Sequence, residues 1–369
     1  MKIIKERFDH FSISYPLEKI ASLEKILFID IETTGFTARS SYLYMIGCAY
    51  YQEGNWHTIQ WMAENYEQEA DILTAFFQFA ENFECLIHFN GNVFDLPYMT
   101  QKCVKLSLPY TFDRLTGIDL YRRISPYKAI LNLPNCKQKT MEDFLGIDRE
   151  DTYNGKELIS FYQEYVNHPN EQTLYTLLLH NRDDLRGMLQ LLSMLSYYDL
   201  FTESVRARKV QANSYKDLDG NQRRELLMTL VVPVGLPKPI SFCANGCYLH
   251  GNPDNVTLRV PIYDEELKYF YSNYKDYYYL PEEDVALHKS VSSFVDKEHR
   301  QQAHASNCYT RKTSAYLQQW DALFTPLFKR KYDGKEVFFE LTDEMKKDRD
   351  AFAKYATHVL SMLVANQPK

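Results

Sequence analysis

The stretch Ile26-Leu27-Phe28-Ile29-Asp30-Ile31-Glu32-Thr33-Thr34-Gly35 constrains this chain more than any other. Its unbroken apolar opening, Ile26 to Ile29, predicts a strand buried on both faces of a sheet. Two acids follow at alternate positions, so Asp30 and Glu32 project from one face, roughly 7 Å apart along the backbone. Carboxylates leaving a buried strand are costly unless a cation offsets them. Hard divalent ions, Mg²⁺ or Mn²⁺, suit carboxylate oxygen, so the pair is a candidate metal site. The competing reading is a strand end whose acids meet solvent, and the rest of the chain must decide. Thr33-Thr34-Gly35 breaks the strand, with Gly35 permitting a tight turn where backbone approaches a ligand.

The 369 residues suffice for two domains, and 45% hydrophobic with 25% charged content is ordinary for a soluble globular protein. No apolar run of about 18 residues appears, and Met1-Lys2-Ile3-Ile4-Lys5-Glu6-Arg7 lacks the apolar core of a signal peptide. No membrane association is expected. Seven scattered cysteines, an odd number, predict reduced thiols in a cytoplasmic setting. The net charge of −7 is uneven: residues 1–200 carry 18 Lys+Arg against 27 Asp+Glu, the remainder 24 against 22. An acidic first half is a poor polyanion partner unless bound divalent ions reverse the local field.

Further strands are predicted over Tyr44–Tyr51 and Trp56–Trp61, joined by the turn Glu53-Gly54-Asn55. Asp71–Phe83 is apolar at helical spacing, and Cys85–Phe89 returns to a buried strand. Strands alternating with helices predict an α/β sheet covered by helices. Asp95 follows the turn at Gly91 and Asn92 and precedes Pro97, at a strand-to-helix junction. There it either faces the cavity of the first acid pair or caps the helix.

The long helix predicted from Gln172 to Leu195 carries His180 and Asp184 four residues apart, on one face. Asp184 falls at the border of the apolar stripe, whereas Asp183 lines up with Leu179, Arg186, Gly187 and Gln190, a more solvated side. Helical phase therefore selects Asp184 as the acid turned toward the sheet. The ordinary alternative is that Asn181-Arg182-Asp183-Asp184 forms a solvated face.

Asp30, Glu32, Asp95 and Asp184, in this order, resemble the catalytic set of the DEDD 3′–5′ exonucleases, most closely the YprB-type branch. The likeness spans about residues 24–196 and includes Asn90 to Asp95, His180 to Asp184, and Leu145-Gly146-Ile147 through Asn154-Gly155. It implies a ribonuclease H-like mixed β-sheet flanked by helices, and an enzyme shortening nucleic acid from a 3′ end. Asp30, Glu32, Asp95 and Asp184 would hold two Mg²⁺ or Mn²⁺ ions, Asp30 bridging them. His180 would orient or deprotonate the attacking water. Thr33, Thr34, Gly35, Phe36 and Asn90 would contact substrate, with Phe36 stacking on the terminal base. The pattern departs at His180: the subtype with four-residue spacing carries Tyr there. The subtype using His places it five residues before the acid, and five residues on from His180 stands Leu185. The alternative is a nucleic-acid-binding module of the same fold whose chemistry has lapsed.

Residues 1–200 are thus read as the catalytic domain and 201–369 as a smaller α+β domain for holding substrate or a partner. Arg206-Ala207-Arg208-Lys209 and Arg223-Arg224 punctuate a polar stretch, either a linker or the start of that domain. Val231–Cys247, Val256–Val260 and Tyr269–Leu280 predict β structure, Pro281–Arg300 a helix, Val337–Leu341 a strand and Asp343–Ala365 a closing helix. His288, Lys289, Lys297, Arg300, Arg311, Lys312 and Tyr309 form a candidate phosphate-binding surface, diluted by Glu282, Glu283 and Asp284. Cys243, Cys247 and His250 lack the second tight pair of a zinc site, so buried thiols are expected.

Overall fold

The computed structural model describes residues 1–8, 11, 13–232, 234–292 and 294–365. They divide into two compact units, Met1–Asp199 with Leu236–Lys238, and Leu200–Gly235 with Pro239–Lys369.

The first unit contains β1 (Lys2–Arg7), β2 (Ile26–Thr33), β3 (Leu43–Gln52), β4 (Asn55–Met62), α1 (Glu69–Ala80), β5 (Cys85–His88), α2 (Asp95–Lys105) and β6 (Thr116–Asp119). Then come α3 (Leu120–Ile124), α4 (Gln138–Leu145), α5 (Gly155–Asn167), α6 (Glu171–Leu191) and α7 (Leu195–Thr202), the last running across the unit boundary. The six strands form one mixed sheet in the order β1-β4-β3-β2-β5-β6. β2 pairs antiparallel with β3 and parallel with β5, which is parallel with β6. The lead-in supplies β1 as an additional edge strand, antiparallel to β4.

The alternation of β2 decides what each sheet face receives. Leu27, Ile29 and Ile31 join Ile72, Phe76 and Tyr98 in the larger core. On the opposite face, Tyr44, Met45 and Met62 pack with Leu158, Tyr162, Tyr165 and Leu177 of α5 and α6. Asn154 caps α5 in a capping box with Glu157, and Asn170 caps α6 by accepting the Thr173 N–H at 2.8 Å. Gly146, at φ 77°, ends α4 in the left-handed conformation.

The second unit is mainly antiparallel. β7 (Arg206–Lys216) and β8 (Gln222–Val231) form a hairpin where a linker was one of the two expectations. β9 (Ile240–Ala244), β10 (Cys247–Asn252) and the long β11 (Asn255–Phe270) follow. Next are β12 (Tyr277–Leu280), β13 (Val285–His288), α8 (Lys289–Ser292), β14 (Gln301–Gln302), β15 (Tyr309–Gln319), β16 (Phe328–Lys329), β17 (Val337–Glu340) and α9 (Arg349–Ala365). The helix expected over 281–300 is largely absent, leaving only the one-turn α8 and a 3₁₀ turn at Lys297–His299. Tyr277–Leu280 and Val285–His288 pair across a hairpin turn, with Asp284 at φ 49°. Tertiary packing of Tyr271, Tyr274, Tyr277 and Tyr279 around Ala286, Ala303 and Cys308 outweighs the helical pattern.

Candidate active site

β2 and α6 bring most of the candidate acids together. The carboxylate of Asp30 accepts a 2.8 Å hydrogen bond from Asn181 Nδ2, and Glu32 Oε2 accepts one from the Tyr44 hydroxyl at 3.4 Å. Glu32, His180 and Asp184 each offer a ligand atom within 4.8 Å of the others. His180 Nε2 stands 3.3 Å from Asp184 Oδ2 and 3.8 Å from Glu32 Oε1. Asp95 opens α2 as its first helical residue, and Phe94 occupies the cap position. The backbone N–H groups of Asp95 itself and of Ile31 instead favour the ionised Asp95 carboxyl, which places it beside the acid-bearing strand.

The electrostatics follow from crowding like charges in a dry pocket. Burial, then repulsion from Asp184, Glu32 and Asp95, pushes the Asp30 carboxyl well above its ordinary value, although Asn181 opposes this. Glu32 rises to about 7, chiefly by burial, with His180 pulling it down and Asp184 pushing it up. Asp95 also rises to about 7 by burial, opposed by the backbone N–H groups of Asp95 and Ile31. Burial lowers His180, but the carboxylates of Glu32, Asp184 and Asp151 prevail and raise it. Such a cluster of oxygen donors, too close to ionise together, fits hard divalent cations.

The turn residues are placed less uniformly. Thr33 and Thr34 spend their hydroxyls on the turn, Thr33 donating to Gly35 O at 2.9 Å and Thr34 accepting the Tyr42 N–H at 2.8 Å. Gly35 is outside the left-handed region, so conformational freedom is not what places it there. Its carbonyl also receives Ser41 Oγ at 3.0 Å. Phe36 is 91% exposed, its ring edge-on to Phe94 at 6.1 Å. Asn90, at φ 59°, donates its N–H to Asp119 Oδ1.

Asp183 corrects the helical-phase argument. It is 4% exposed and accepts the N–H groups of Glu150 and Asp151, both at 2.8 Å. The 147–154 loop covers that side of α6, so the predicted solvated side is a buried anchor. Asp184 faces the acids as expected.

Four contributors escaped the sequence argument. Asn181 is fully buried and joins Asp30 to Gln60, whose Nε2 donates to Asn181 Oδ1 at 2.9 Å. Asp151 bonds His180 Nδ1 at 2.7 Å. Arg149 lies 2.6 Å from Asp184 Oδ1 and 2.9 Å from Glu142 Oε2. Asp119 fastens the Asn90 loop that leads to Asp95. The only sequence signal was that Arg149 and Asp151 lie in the 145–155 stretch of the resemblance.

In the second unit, the candidate phosphate-binding surface is neutralised by acids at two of its cations. Lys312 pairs with Glu340 at 2.7 Å and Arg311 with Asp284 at 3.6 Å. Arg300 bonds Ser292 O and lies over the Tyr278 ring. Of the expected buried thiols, Cys247 is buried while Cys243 is exposed, because β9 turns it to the solvated sheet face.

Residues 27–196, just under half of the chain, match the family model of the RNase H superfamily. No curated protein matches. Among solved structures, the chain is similar to the family B DNA polymerase of the hyperthermophilic archaeon Pyrobaculum calidifontis at 16% identity and TM-score 0.40. That similarity covers 47% of this chain and 25% of the polymerase. It is similar to E. coli exonuclease I in complex with a dA16 oligonucleotide at 12% identity and TM-score 0.28, over 57% of this chain and 55% of that one. Exonuclease I from Methylocaldum szegediense gives 12% and 0.28, over 56% and 54%. The chain thus spans a quarter of the polymerase and about half of each exonuclease. By its mixed sheet, its flanking helices and the superfamily match, the first unit has a ribonuclease H-like fold.

Proposed function

We propose that this protein is a divalent-metal-dependent nuclease that hydrolyses phosphodiester bonds from the 3′ end of nucleic acid. The observation that carries the reading is the gathering of Asp30, Glu32, Asp95 and Asp184 on β2, α2 and α6, with the first three carboxyls raised by burial and mutual repulsion. These four would hold two Mg²⁺ or Mn²⁺ ions, which when bound supply charge for water activation and for the leaving oxygen.

The chain's own residues complete the arrangement. With the Nδ1–H of His180 fixed on Asp151, Nε2 is the atom left to take a proton from an attacking water. Asn181 orients the Asp30 carboxylate from behind. Exposed Phe36 offers a stacking face to a terminal base, with Asn90, Thr33, Thr34 and Gly35 shaping the adjoining turn. The second unit would hold substrate or a partner. Seven free cysteines support a reducing, cytoplasmic setting, and no described helix is long and apolar enough to cross a membrane.

One feature favours a second reading, a binding module whose chemistry has lapsed. Arg149 already engages Asp184, so a cation of the protein's own occupies one ligand oxygen. Digestion of 5′-labelled single-stranded and duplex DNA and RNA with Mn²⁺ separates the two. A ladder shortening from the 3′ end, absent in Asp30→Asn, is the expected result. No cleavage of any substrate, with binding retained, would establish the lapsed module.

A further inference from the structure

Strand β7 carries Arg206, Arg208, Lys209 and Lys216, and residues 204–216 contain no acid in a chain of net charge −7. All four cations are exposed, and none has an ion-pair partner among the described residues. This contrasts with Arg311 and Lys312, which acids of their own unit neutralise.

β7 is one side of an open sheet in which β7, β8, β11, β10 and β9 run antiparallel in that order. Register aligns Lys209, Thr229, Thr257, His250 and Ser241 in one row across all five strands. The next row is Gln211, Leu227, Arg259, Tyr248 and Cys243. Ser241 Oγ and His250 Nδ1 are 2.9 Å apart, and Arg259 lies 5.7 Å from the Tyr248 ring, so row neighbours share a face. The intervening residues, such as Met228, Leu249 and Leu258, are buried beneath. Beyond these rows, exposed Tyr215 stands opposite Arg223. A bulge between Ala207 and Lys209 adds Arg208 to the exposed edge. The acid that interrupts this face, Glu225, is buried, bonded by Arg259 through two 2.9 Å contacts and by Asn213 at 3.0 Å.

Cations on an edge strand also deter pairing with another chain. That role leaves Tyr248 and His250 on interior strands without explanation, whereas Arg259 is held by Glu225. A sheet face with outward aromatics, unpaired edge cations and hydroxyl or amide groups matches a strand of unstacked bases: phosphates meet the cations, and bases stack on the rings. We infer that this face of the second unit, edged by Arg206, Arg208 and Lys209 and centred on Tyr248, binds single-stranded nucleic acid. The inference takes its substrate class from the nuclease reading above.

The test uses the full chain carrying Asp30→Asn, in EDTA, with 5′-fluorescein oligo-dT or oligo-U of about twenty nucleotides followed by anisotropy. Adding Arg206→Glu, Arg208→Glu and Lys209→Glu should weaken binding at least about tenfold near 0.1 M salt. The slope of log affinity against log salt should shrink by about 2, for three lost phosphate contacts. A thermal melt checks that the triple variant folds. A substitution-free readout accompanies it: bound strand should protect exposed Cys243 from iodoacetamide. Undiminished binding by a folded triple variant, unprotected Cys243, or a parent that binds no strand would each overturn the inference. So would self-association of the parent, in place of strand binding, that the triple variant abolishes; β7 would then pair with a second copy. Cleavage with Mn²⁺ is scored separately. Binding through this face without cleavage sinks the nuclease reading alone, and cleavage with undiminished binding sinks this surface alone.

Discussion

Asp95 sets the sign of a pH dependence. Its carboxyl rises from an ordinary 3.8 to about 7, through burial first. A raised carboxyl favours the protonated native state, so its contribution to stability is full below the unfolded value and is lost as pH climbs through about 7. Without metal, ionised Asp95 therefore destabilises the protein at pH 8. Asp95→Asn should raise the melting temperature in EDTA at pH 8, an effect on the order of 4 kcal/mol, and change it little at low pH. The same variant should abolish strand shortening with Mn²⁺. A variant that melts below the parent at pH 8 would show that Asp95 is not held at a cost. At this scale the ligand candidates were legible through the order of four acids along the chain, because acid-x-acid alone reads equally as a strand end meeting solvent. Asn181 and Asp151 were not, since their partners lie 151 and 29 residues away.

Among the elements, α6 is the most constrained. A Cβ at Gly187 would lie 1.9 Å from Glu142 Oε1, because α4 approaches α6 closely and Glu142 is fully buried beside Arg149 and Gln138. Gly187→Ala would gain about 1 kcal/mol of helix propensity. Overpacking costs about 1–3 kcal/mol, and here it also strains a buried ion pair. The net effect should be destabilising by about 1–2 kcal/mol in chemical denaturation. A stabilised variant would mean that α4 yields freely. Asp183→Ala should cost about 1–3 kcal/mol, because it strands the N–H groups of Glu150 and Asp151. Activity should fall with it, since that loop carries Arg149 and Asp151 to the site. Equal stability and activity in Asp183→Ala would make the anchor dispensable.

For the whole molecule, two units with separate cores predict unfolding that is not a single two-state event. The metal-ligand candidates all belong to the first unit. Mn²⁺ at about a hundred times its dissociation constant should stabilise that unit by about 2.7 kcal/mol. In calorimetry one transition should move upward with Mn²⁺ and the other stay in place. Asp30→Asn should lose the shift. No shift in the parent would favour the lapsed module and give the Arg149–Asp184 pair its meaning.

The sequence by itself determined β2 to β5, α1 and α6 of the first unit to within a few residues, because their apolar patterns are long, but not the edge strands β1 and β6 or the short α3, whose patterns are too brief. It also determined which acids lead that sheet toward one end, since strand alternation and helical phase are local properties. Phase could not determine that Asp183 is buried, because a loop whose Glu150 and Asp151 lie 33 and 32 residues earlier covers it. The second unit was harder still. Its short aromatic strands, such as Tyr277–Leu280 and Val285–His288, carry too few residues for periodicity to separate strand from helix. Lys209 of the basic run acquires its row neighbours Thr229, Thr257, His250 and Ser241 only through pairing across four partner strands. Local chemistry chose the elements, and long-range register decided which side chains meet.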